Sequence, residues 1–303
     1  MTIEVRRFRR DDREQVTALV NAHVQAVIPG VSLSVNAVRS QLEREPGEFI
    51  VDPWVAERAT VVAVERERVV AAAHLRRYGD DERVGDSYRG VGEIAWLVCV
   101  IDAPFWRDSG AGEALARESV EMLDRWRVGR VYADGALPAM GVYGVPDVWP
   151  HVQTILERVG FRHDGHTETV LAALVDDLPE PLPAPIEGLE IRRTLGTNGT
   201  RFSAVLGDDV VGFVEIESDI TIGGTLSRFA GWADVGNLCV SEHHRRRGIG
   251  TWLTAHAARW LRLGGVERLL CYVELGHDDE LAFSLAIGFV ALTTTRRGWV
   301  LAR

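Results

Sequence analysis

The sequence has few of the features that mark secreted or membrane-spanning chains. It contains three cysteines in 303 residues, Cys99, Cys239 and Cys271. All three lie in apolar strand-like runs, so we expect reduced core residues rather than a disulfide framework. No apolar run approaches the length of a membrane helix, and the opening MTIEVRRFRRDD lacks the apolar stretch of a secretory signal. These absences predict a cytoplasmic protein with no membrane partner.

Other absences narrow the classes of function. The formal net charge of −10 argues against nucleic acid as the main partner, because such binding needs a concentrated basic face. The histidines lack the spaced partners of a zinc or iron site, and no Gly-x-Ser-x-Gly elbow is present for hydrolysis. We therefore expect neither a nucleic-acid partner nor a bound metal.

The composition and length predict a globular chain of two domains. Hydrophobic residues make up 46% of the sequence, enough for real cores, and 303 residues exceed the usual size of one compact domain. The stretch DDLPEPLPAPIEG carries five of the eleven prolines. Since proline removes backbone donors and favours extended neighbours, this stretch predicts a linker at residues 176–188 between domains at 1–175 and 189–303.

The two halves repeat one order of elements. In each half short strands lead to a long apolar strand, GEIAWLVCVI or WADVGNLCV, which is followed by the longest helix of that half. A shorter strand and a short helix come next. This is a mixed α/β pattern. Between Arg193 and Arg201 there is no room for the two helices predicted between residues 13 and 46, so we expect the second half to lack them.

An Arg-x-x-Gly-x-Gly sequence opens the longest helix of each half. The first copy contains Arg107, Gly110 and Gly112, and the second contains Arg245, Gly248 and Gly250. Glycines allow a close approach to an anion, and the free N–H groups and dipole of a helix start favour a phosphate. Asp108 adds a charge of the wrong sign to the first copy, whereas three arginines surround the second. The pattern predicts two phosphate sites, of which the second is the stronger.

The second copy lies in LCVSEHHRRRGIGTWLTAHAARWL, which resembles the acyl-CoA-binding motif of the GNAT superfamily. The later CYVEL and Ile287-Gly288-Phe289 resemble the closing motif of that family. The first half matches again in WLVCVIDAPFWRDSGAGEAL and Val159-Gly160-Phe161. The resemblance implies two tandem GNAT domains, each a splayed mixed sheet flanked by helices, with the second lacking the first two helices. It also implies that the pantetheine arm lies in a gap between two parallel strands.

The resemblance implies a set of cofactor-binding residues. Backbone groups of Leu238, Cys239 and Val240 would pair with the pantetheine amides, and backbone N–H groups from Arg246 to Gly250 would hold the pyrophosphate. His244 or the arginines would lie near the adenosine 3′-phosphate. The implied cofactor site consists of Leu238, Cys239, Val240, Arg245, Arg246, Arg247, Gly248, Ile249, Gly250 and Thr251, and a weaker second site contains Arg107, Gly110 and Gly112.

The activity implied is transfer of an acetyl group from acetyl-CoA, or of another acyl group from its CoA ester, to a primary amine of a small molecule. By resemblance the transfer is direct, with the main site in the second domain of a monomer or homodimer. Asp234 lies where the family places a base, with Glu215 and Glu217 as alternatives. The family tyrosine that serves as acid is replaced by Ser284, and by Leu156 in the first half. Ser284 could orient the thiolate through water, and solvent, Tyr272 or a residue of the other domain could supply the proton.

Residues of the first half are candidates for the acceptor side. Tyr143 and Trp149 lie in a loop rich in proline and aromatics, which could line an acceptor pocket or simply pack as a rigid loop. Glu93 and His74 are candidate bases on neighbouring strands. Two alternatives to the amine acetyltransferase stay open: a sensor that binds acyl-CoA without turnover, and an acyltransferase of specialised metabolism that uses a larger acyl group or a non-amine acceptor.

Overall fold

A computed structural model of the chain describes residues 3–43, 54–100, 110–135, 137, 142–218 and 231–302. These residues form two compact units. Unit 1 contains the described residues of 3–167 and 293–302, and unit 2 contains those of 168–218 and 231–292. Each unit has a mixed sheet flanked by helices, which confirms the predicted fold class.

The described residues form six α-helices and fifteen strands. The helices are α1 (Arg13–Val27), α2 (Val35–Leu42), α3 (Ala111–Arg125), α4 (Pro150–Arg158), α5 (Ile249–Leu263) and α6 (Asp278–Ala286). The strands are β1 (Glu4–Arg7), β2 (Val55–Glu65), β3 (Arg68–Tyr78), β4 (Val91–Cys99), β5 (Arg130–Ala133), β6 (Val145–Pro146), β7 (Phe161–His163), β8 (Thr167–Leu174), β9 (Leu189–Gly196), β10 (Gly199–Leu206), β11 (Asp209–Glu217), β12 (Trp232–Val240), β13 (Arg268–Glu274), β14 (Val290–Arg296) and β15 (Trp299–Leu301).

Unit 1 is built on a sheet of order β1-β2-β3-β4-β5-β15-β7, in which β4 and β5 are parallel and the other neighbours are antiparallel. Its helices bury apolar stripes at helical spacing. The buried face of α1 includes Val16, Leu19, Val20, His23, Val24 and Val27.

Unit 2 contains the strand order β8-β13-β12-β11-β10-β9. The pair β12 and β13 is parallel, like β4 and β5 in unit 1. Only Thr197 and Asn198 join β9 to β10, so the expected absence of two helices is confirmed. A single core cluster packs α5 against β10, β11 and β13 and includes Leu253, Ala257, Val214 and Leu269.

Each unit contains a strand from the other half of the sequence. β8 pairs antiparallel with β13 along its length in unit 2, although it precedes the proline-rich stretch. β15 lies between β5 and β7 in unit 1, although it follows all of unit 2 in the chain. The bounds 1–175 and 189–303 therefore do not describe the contacts of the folded chain and stay a prediction about separable domains. Strand pairing over such separations leaves no local sequence pattern.

The proline-rich stretch at 176–188 packs within unit 2. Leu178 is buried in the core cluster, and the Arg262 guanidinium donates to the carbonyl oxygens of Val175 and Leu178 at 2.7 and 2.8 Å. The indole N–H of Trp252 donates to the Leu182 carbonyl at 3.2 Å. These contacts fix the stretch to α5, and its role as a linker stays a prediction.

All three cysteines are free thiols in the structure, as predicted. Cys99 and Cys271 are half-buried, but Cys239 is exposed, so the prediction of a core residue is wrong for Cys239. The cause is its place in β12 beyond the last residue that pairs with β13, where the strand is less covered. No helix in the described part of the chain is long and apolar enough to cross a membrane.

Candidate functional site

The candidate site in unit 2 lies where β12 and β13 part. The two strands pair in parallel only at Trp232–Arg268, Ala233–Leu269 and Asp234–Leu270. β12 continues to Val240 and β13 to Glu274 without further pairs between them. Backbone groups of β12 beyond Asp234 that face β13 are therefore left for another partner, as the splayed sheet predicts.

A bulge in β12 sets the orientation of its side chains. The antiparallel register with β11 pairs Asp234 with Glu217 and Val235 with Ile216, and then skips Gly236 before Asn237 pairs with Glu215. A side chain at Gly236 would meet Asn198, whose Cβ would lie 2.5 Å from the added Cβ. The bulge thus depends on glycine and bends β12 next to Asp234.

The register gives the sheet of unit 2 two different faces. One face, the helix face, packs against α5 and α6 around a small apolar cavity. This cavity is lined by Val214, Ile216, Val235, Leu238, Leu269, Cys271, Thr254, Phe283, Ser284, Ile287 and Phe289. The other face, the carboxylate face, carries Glu215, Glu217, Asp234 and Tyr272, because side chains alternate along a strand and cross-strand partners share a face.

Asp234 is a buried carboxyl with an unusual protonation equilibrium. Only 8% of the residue is exposed, and its Oδ1 has no hydrogen-bond partner among the described residues. Burial, together with the negative charge of Glu217 opposite, raises the pKa of Asp234 to about 6. A carboxylate with this pKa is ionised at neutral pH and is more basic than an ordinary aspartate, which suits a general base.

Glu215 is held very differently from Asp234. It is 1% exposed, and Arg201 Nε donates to its Oε1 at 2.8 Å while the backbone N–H groups of Thr197 and Asn198 donate at 3.1 and 3.4 Å. Burial works to raise the pKa of Glu215, but these donors outweigh it and leave the pKa below the ordinary value. Glu215 therefore anchors the β9–β10 turn, and the geometry favours Asp234 over it as a base.

The candidate acids lie on opposite faces of the sheet. Ser284 is buried on α6 in the helix-face cavity, where it hydrogen-bonds to the Cys271 thiol. Burial raises the pKa of Cys271 to about 11, so that thiol is inert at neutral pH. Tyr272 lies on the carboxylate face, two residues beyond the β13 partner of Asp234. The structure thus brings Tyr272, and not Ser284, to the face of Asp234.

The start of α5 has the features expected of a phosphate site. Gly248 is its N-cap with φ 81°, in the left-handed region that favours glycine, and no side chain caps the helix. The residues before it are exposed and basic. Arg245 Nε donates to the Val240 carbonyl at 3.0 Å, Arg246 pairs with Asp279 at 2.5 Å, and Arg247 has no ion pair among the described residues. Exposed cations therefore surround free helix N–H groups.

The second glycine of each motif serves helix packing. A Cβ at Gly250 would lie 3.2 Å from the Phe283 ring of α6, and one at Gly112 would collide with Ile155 of α4. In unit 1, Gly110 caps α3 with φ 76°, nearly the same conformation as Gly248. Arg107 lies outside the described residues. The repeated motif thus encodes a repeated local fold.

Unit 1 has a carboxylate at the position equivalent to Asp234. β4 has a bulge at Ala95, in the same place as the bulge of β12 at Gly236. When the two bulges are aligned, Glu93 takes the position of Asp234, and its cross-strand partner Arg76 takes the position of Glu217. When the two repeated sequences are aligned, Cys99 corresponds to Cys239. When the strands β4 and β12 are aligned at their bulges, Cys99 corresponds instead to Val240, one residue further along. Glu93 is 4% exposed, and the Tyr78 hydroxyl donates to its Oε2 at 2.7 Å.

Two other candidates of unit 1 are structural residues. His74, at the position equivalent to Glu215, is fully buried against Trp96 and hydrogen-bonds to Thr60, and burial lowers the pKa of its imidazole well below the ordinary value. Trp149 is also buried, and its indole N–H donates to the His23 carbonyl at 3.2 Å. The packed-loop alternative therefore describes Trp149. Tyr143 stays half-buried, with Arg297 5.9 Å from its ring centroid.

The comparisons with known proteins agree with this architecture. Residues 167–289 match the model of the Acetyltransferase (GNAT) family. The chain has no significant match among curated protein sequences. Among the described residues no group of three or more histidine, cysteine or acidic side chains is placed to hold a metal ion.

Solved structures similar to the chain span nearly all of it. A tandem GNAT protein from the clavulanic acid biosynthesis pathway has a TM-score of 0.64 at 16% identity, over 99% of this chain and 98% of that one. A GCN5-related N-acetyltransferase from Sphaerobacter thermophilus has a TM-score of 0.61 at 15% identity, over 98% and 94%. The glucosamine N-acetyltransferase region of a fungal multi-domain GH3 β-N-acetylglucosaminidase has a TM-score of 0.65 at 18% identity, over 98% of this chain and 38% of that one. At these identities the likeness establishes the fold.

Proposed function

We propose that this chain, whose residues 167–289 match the GNAT family model and whose fold is similar to that of a tandem GNAT protein, transfers an acetyl group from acetyl-CoA to a primary amine of a small molecule, with its active centre in unit 2. The observation that carries this proposal is Asp234. It is a buried carboxyl whose Oδ1 has no partner among the described residues, on the strand that leaves its parallel neighbour to form the gap.

The residues around the gap fit the cofactor. Backbone groups of Leu238, Cys239 and Val240 would hold the pantetheine arm, since they lie beyond the last β12–β13 pair. The N–H groups at the start of α5, from Ile249 to Thr251, would hold the pyrophosphate beside the Arg245–Arg247 loop. The cofactor supplies the acetyl group as an activated thioester.

The carboxylate face supplies the proton transfers. A primary ammonium group that enters this face loses a proton to the Asp234 carboxylate, and the neutral amine can then act as the nucleophile. Tyr272 shares the face and is proposed to donate the proton that the departing thiolate needs, and the second proton of the nitrogen, released as the amide forms and the C–S bond breaks, restores the Tyr272 hydroxyl. Glu215 is proposed to hold the β9–β10 turn, and Ser284 to line the helix-face cavity.

Unit 1 is proposed to serve as a scaffold rather than as a second active centre. Its equivalent carboxylate, Glu93, already accepts a hydrogen bond from Tyr78 and faces the guanidinium-bearing Arg76 across the strand pair. A base must be available to the substrate proton. Glu93 is buried with its own donor and so does not meet this requirement.

Cofactor binding is tested by charge reversal at the start of α5. Arg247→Glu should weaken binding of acetyl-CoA in isothermal titration calorimetry by about 10-fold or more, because each lost phosphate contact with a cation removes a charge-assisted hydrogen bond of about 1.5–3 kcal/mol. Arg259→Glu, at an exposed position further along the same helix, is the matched control and should bind normally. Equal effects of the two variants would contradict the assigned phosphate site.

A sensor without turnover is the second candidate, and a specific observation favours it. Neither α6 nor α4 carries a tyrosine at the position where one is expected, since Ser284 and Leu156 stand there. Release of free thiol from acetyl-CoA in the presence of a panel of amines separates the two functions. Binding of acetyl-CoA with no thiol release for any amine would establish the sensor. Replacing acetyl-CoA by longer acyl-CoA esters in the same assay tests the larger-acyl alternative.

A further inference from the structure

Two carboxylates stand directly opposite each other on the carboxylate face. Asp234 on β12 and Glu217 on β11 are cross-strand partners, and residues in such pairs have Cβ atoms about 4.5–5.5 Å apart. Like charges in this position destabilise a sheet. Neither side chain forms an ion pair with a described basic residue, and Asp234 is buried with an unpartnered oxygen.

The rest of the chain shows how such positions are normally neutralised. At the equivalent place in unit 1, Arg76 stands opposite Glu93, so the pair carries opposite charges. On the same face of unit 2, Glu215 is matched by Arg201 at 2.8 Å. Among the residues that the structure describes, the Asp234–Glu217 pair therefore stands out as two negative charges without a compensating cation, and a cation that enters the site would relieve their repulsion.

A single ammonium group cannot satisfy this pair throughout the reaction. Asp234 must take the proton of the reacting amine, after which that nitrogen is neutral and no longer balances Glu217. Glu217 is not needed as the base, because Asp234 is the more buried of the two. A second cationic group of the acceptor would balance Glu217 throughout the transfer.

We infer that Glu217 is a specificity-determining residue that binds a second ammonium group of the acceptor, so that the preferred substrate is a short aliphatic diamine. This inference rests on the proposed function. Because the Cβ atoms of cross-strand partners are only about 4.5–5.5 Å apart, the two carboxylates suit two ammonium groups joined by a short chain, as in 1,3-diaminopropane and 1,4-diaminobutane. One nitrogen reacts beside Asp234, and the other stays protonated beside Glu217.

The experiment compares 1,4-diaminobutane with butylamine, which has the same carbon chain and lacks the second ammonium group. The wild-type protein should acetylate the diamine with a kcat/KM about 10-fold or more above that of butylamine, as one additional charged hydrogen bond allows. Glu217→Gln should abolish most of this ratio through a higher KM for the diamine. Glu217→Gln also removes the repulsion acting on Asp234, but this affects both amines equally and cancels in the ratio.

Glu190→Gln is the matched control, because Glu190 is an exposed carboxylate on β9 of the same unit, and it should keep the wild-type ratio. Circular dichroism establishes that the variants are folded. Equal kcat/KM for the two amines in the wild type, or equal losses for both amines in Glu217→Gln, would overturn the role of Glu217. If no amine of the panel is acetylated, the proposed function itself fails, so the two failures can be told apart.

Discussion

The two units place carboxylates at the same point of the same strand and treat them in opposite ways. In unit 1, Glu93 accepts a hydrogen bond from Tyr78 and faces Arg76. In unit 2, Asp234 has an oxygen without a partner among the described residues and faces Glu217. Because the backbone frame is shared, the difference depends on a few side chains.

This comparison shows what separates a structural carboxylate from a reactive one within one fold. A buried acid that is hydrogen-bonded and charge-matched contributes to packing and specificity, whereas one left unmatched has a raised pKa and becomes available for proton transfer. The unmatched pair costs stability, and such costs are characteristic of functional sites. Unit 2 bears the cost, and unit 1 does not.

The largest expected effect comes from removing the two equivalent carboxylates in turn. Asp234→Asn should lower kcat/KM for the acceptor by about 10²–10⁴-fold, the usual contribution of a general base, whereas Glu93→Gln should leave it nearly unchanged. Thiol release under saturating acetyl-CoA measures both. Comparable losses in the two variants would mean that unit 1 is also a catalytic centre. The wild-type rate should rise with pH through about 6 as Asp234 ionises.

A second, smaller effect is an opposite response of the units to acid. In unit 1, His23 Nε2 lies 2.9 Å from His151 Nε2, and burial lowers the pKa of His23 to about 4 and that of His151 to about 3. A histidine whose pKa is lowered in the folded state stabilises the fold at pH values above its unfolded pKa of about 6.5. This stability is lost as the pH falls toward the pKa of the folded state. We therefore expect unit 1 to lose several kcal/mol of stability between pH 6.5 and 4, because a tenfold change in proton affinity corresponds to about 1.4 kcal/mol.

Asp234 in unit 2 should contribute with the other sign, because its pKa is raised in the fold, whereas His256 on α5, whose pKa is lowered by burial, acts as the histidines of unit 1 do. A raised carboxyl pKa favours the fold at low pH, and this advantage is lost as pH rises through about 6, so acidification toward pH 4 should add about 1–3 kcal/mol of stability through Asp234. Hydrogen exchange should be compared at pH 7 and pH 5, corrected for intrinsic rates. Protection in α1 and α4 should be lower at pH 5, whereas protection in β12 should not fall. The double variant His23→Leu, His151→Leu should reduce the response of unit 1 and leave the part that is due to the buried His74. Parallel changes in both units would refute this expectation.

The smallest expected effect concerns the Tyr78 hydroxyl, which donates a hydrogen bond to Glu93. Tyr78→Phe removes a 2.7 Å hydrogen bond to a buried carboxylate and should destabilise the protein by about 1–3 kcal/mol in urea unfolding. Tyr132→Phe is the control in the same aromatic cluster, since no hydrogen bond of its hydroxyl is seen among the described residues. Acetylation should be unaffected in both variants. A gain of activity in Tyr78→Phe would show that the hydroxyl alone keeps Glu93 from acting.

Local features were predictable from the sequence, and non-local ones were not. Gly110 and Gly248 mark their helix starts because a left-handed residue at a helix N-cap favours glycine. The position of Asp234 was also predictable. Its pKa depends on Glu217, seventeen positions earlier, and the state of Glu215 depends on Arg201, fourteen positions earlier. Those contacts require the strand register, which periodicity alone does not fix.

The errors have the same physical origin. Cys239 looks like a core residue in an apolar run, but β12 lacks a β13 partner at that point. The one-residue shift between the repeated strands follows from the bulges at Ala95 and Gly236, which have no clear sequence signal besides the glycine. The places of β8 and β15 depend on pairing between residues that are far apart in the sequence, such as Thr169 with Val273 and Trp299 with Ala133.

The placement of β8 and β15 separates the order of synthesis from the order of folding. The ribosome makes the segments of unit 1 first, yet the strand between β5 and β7 is supplied by residues 299–301, which are made after all of unit 2. Unit 2 has its full set of strands from β8 to β13 earlier. The half encoded first is therefore the one completed last, and losing residues 299–301 would damage the unit that is farthest from them in the gene.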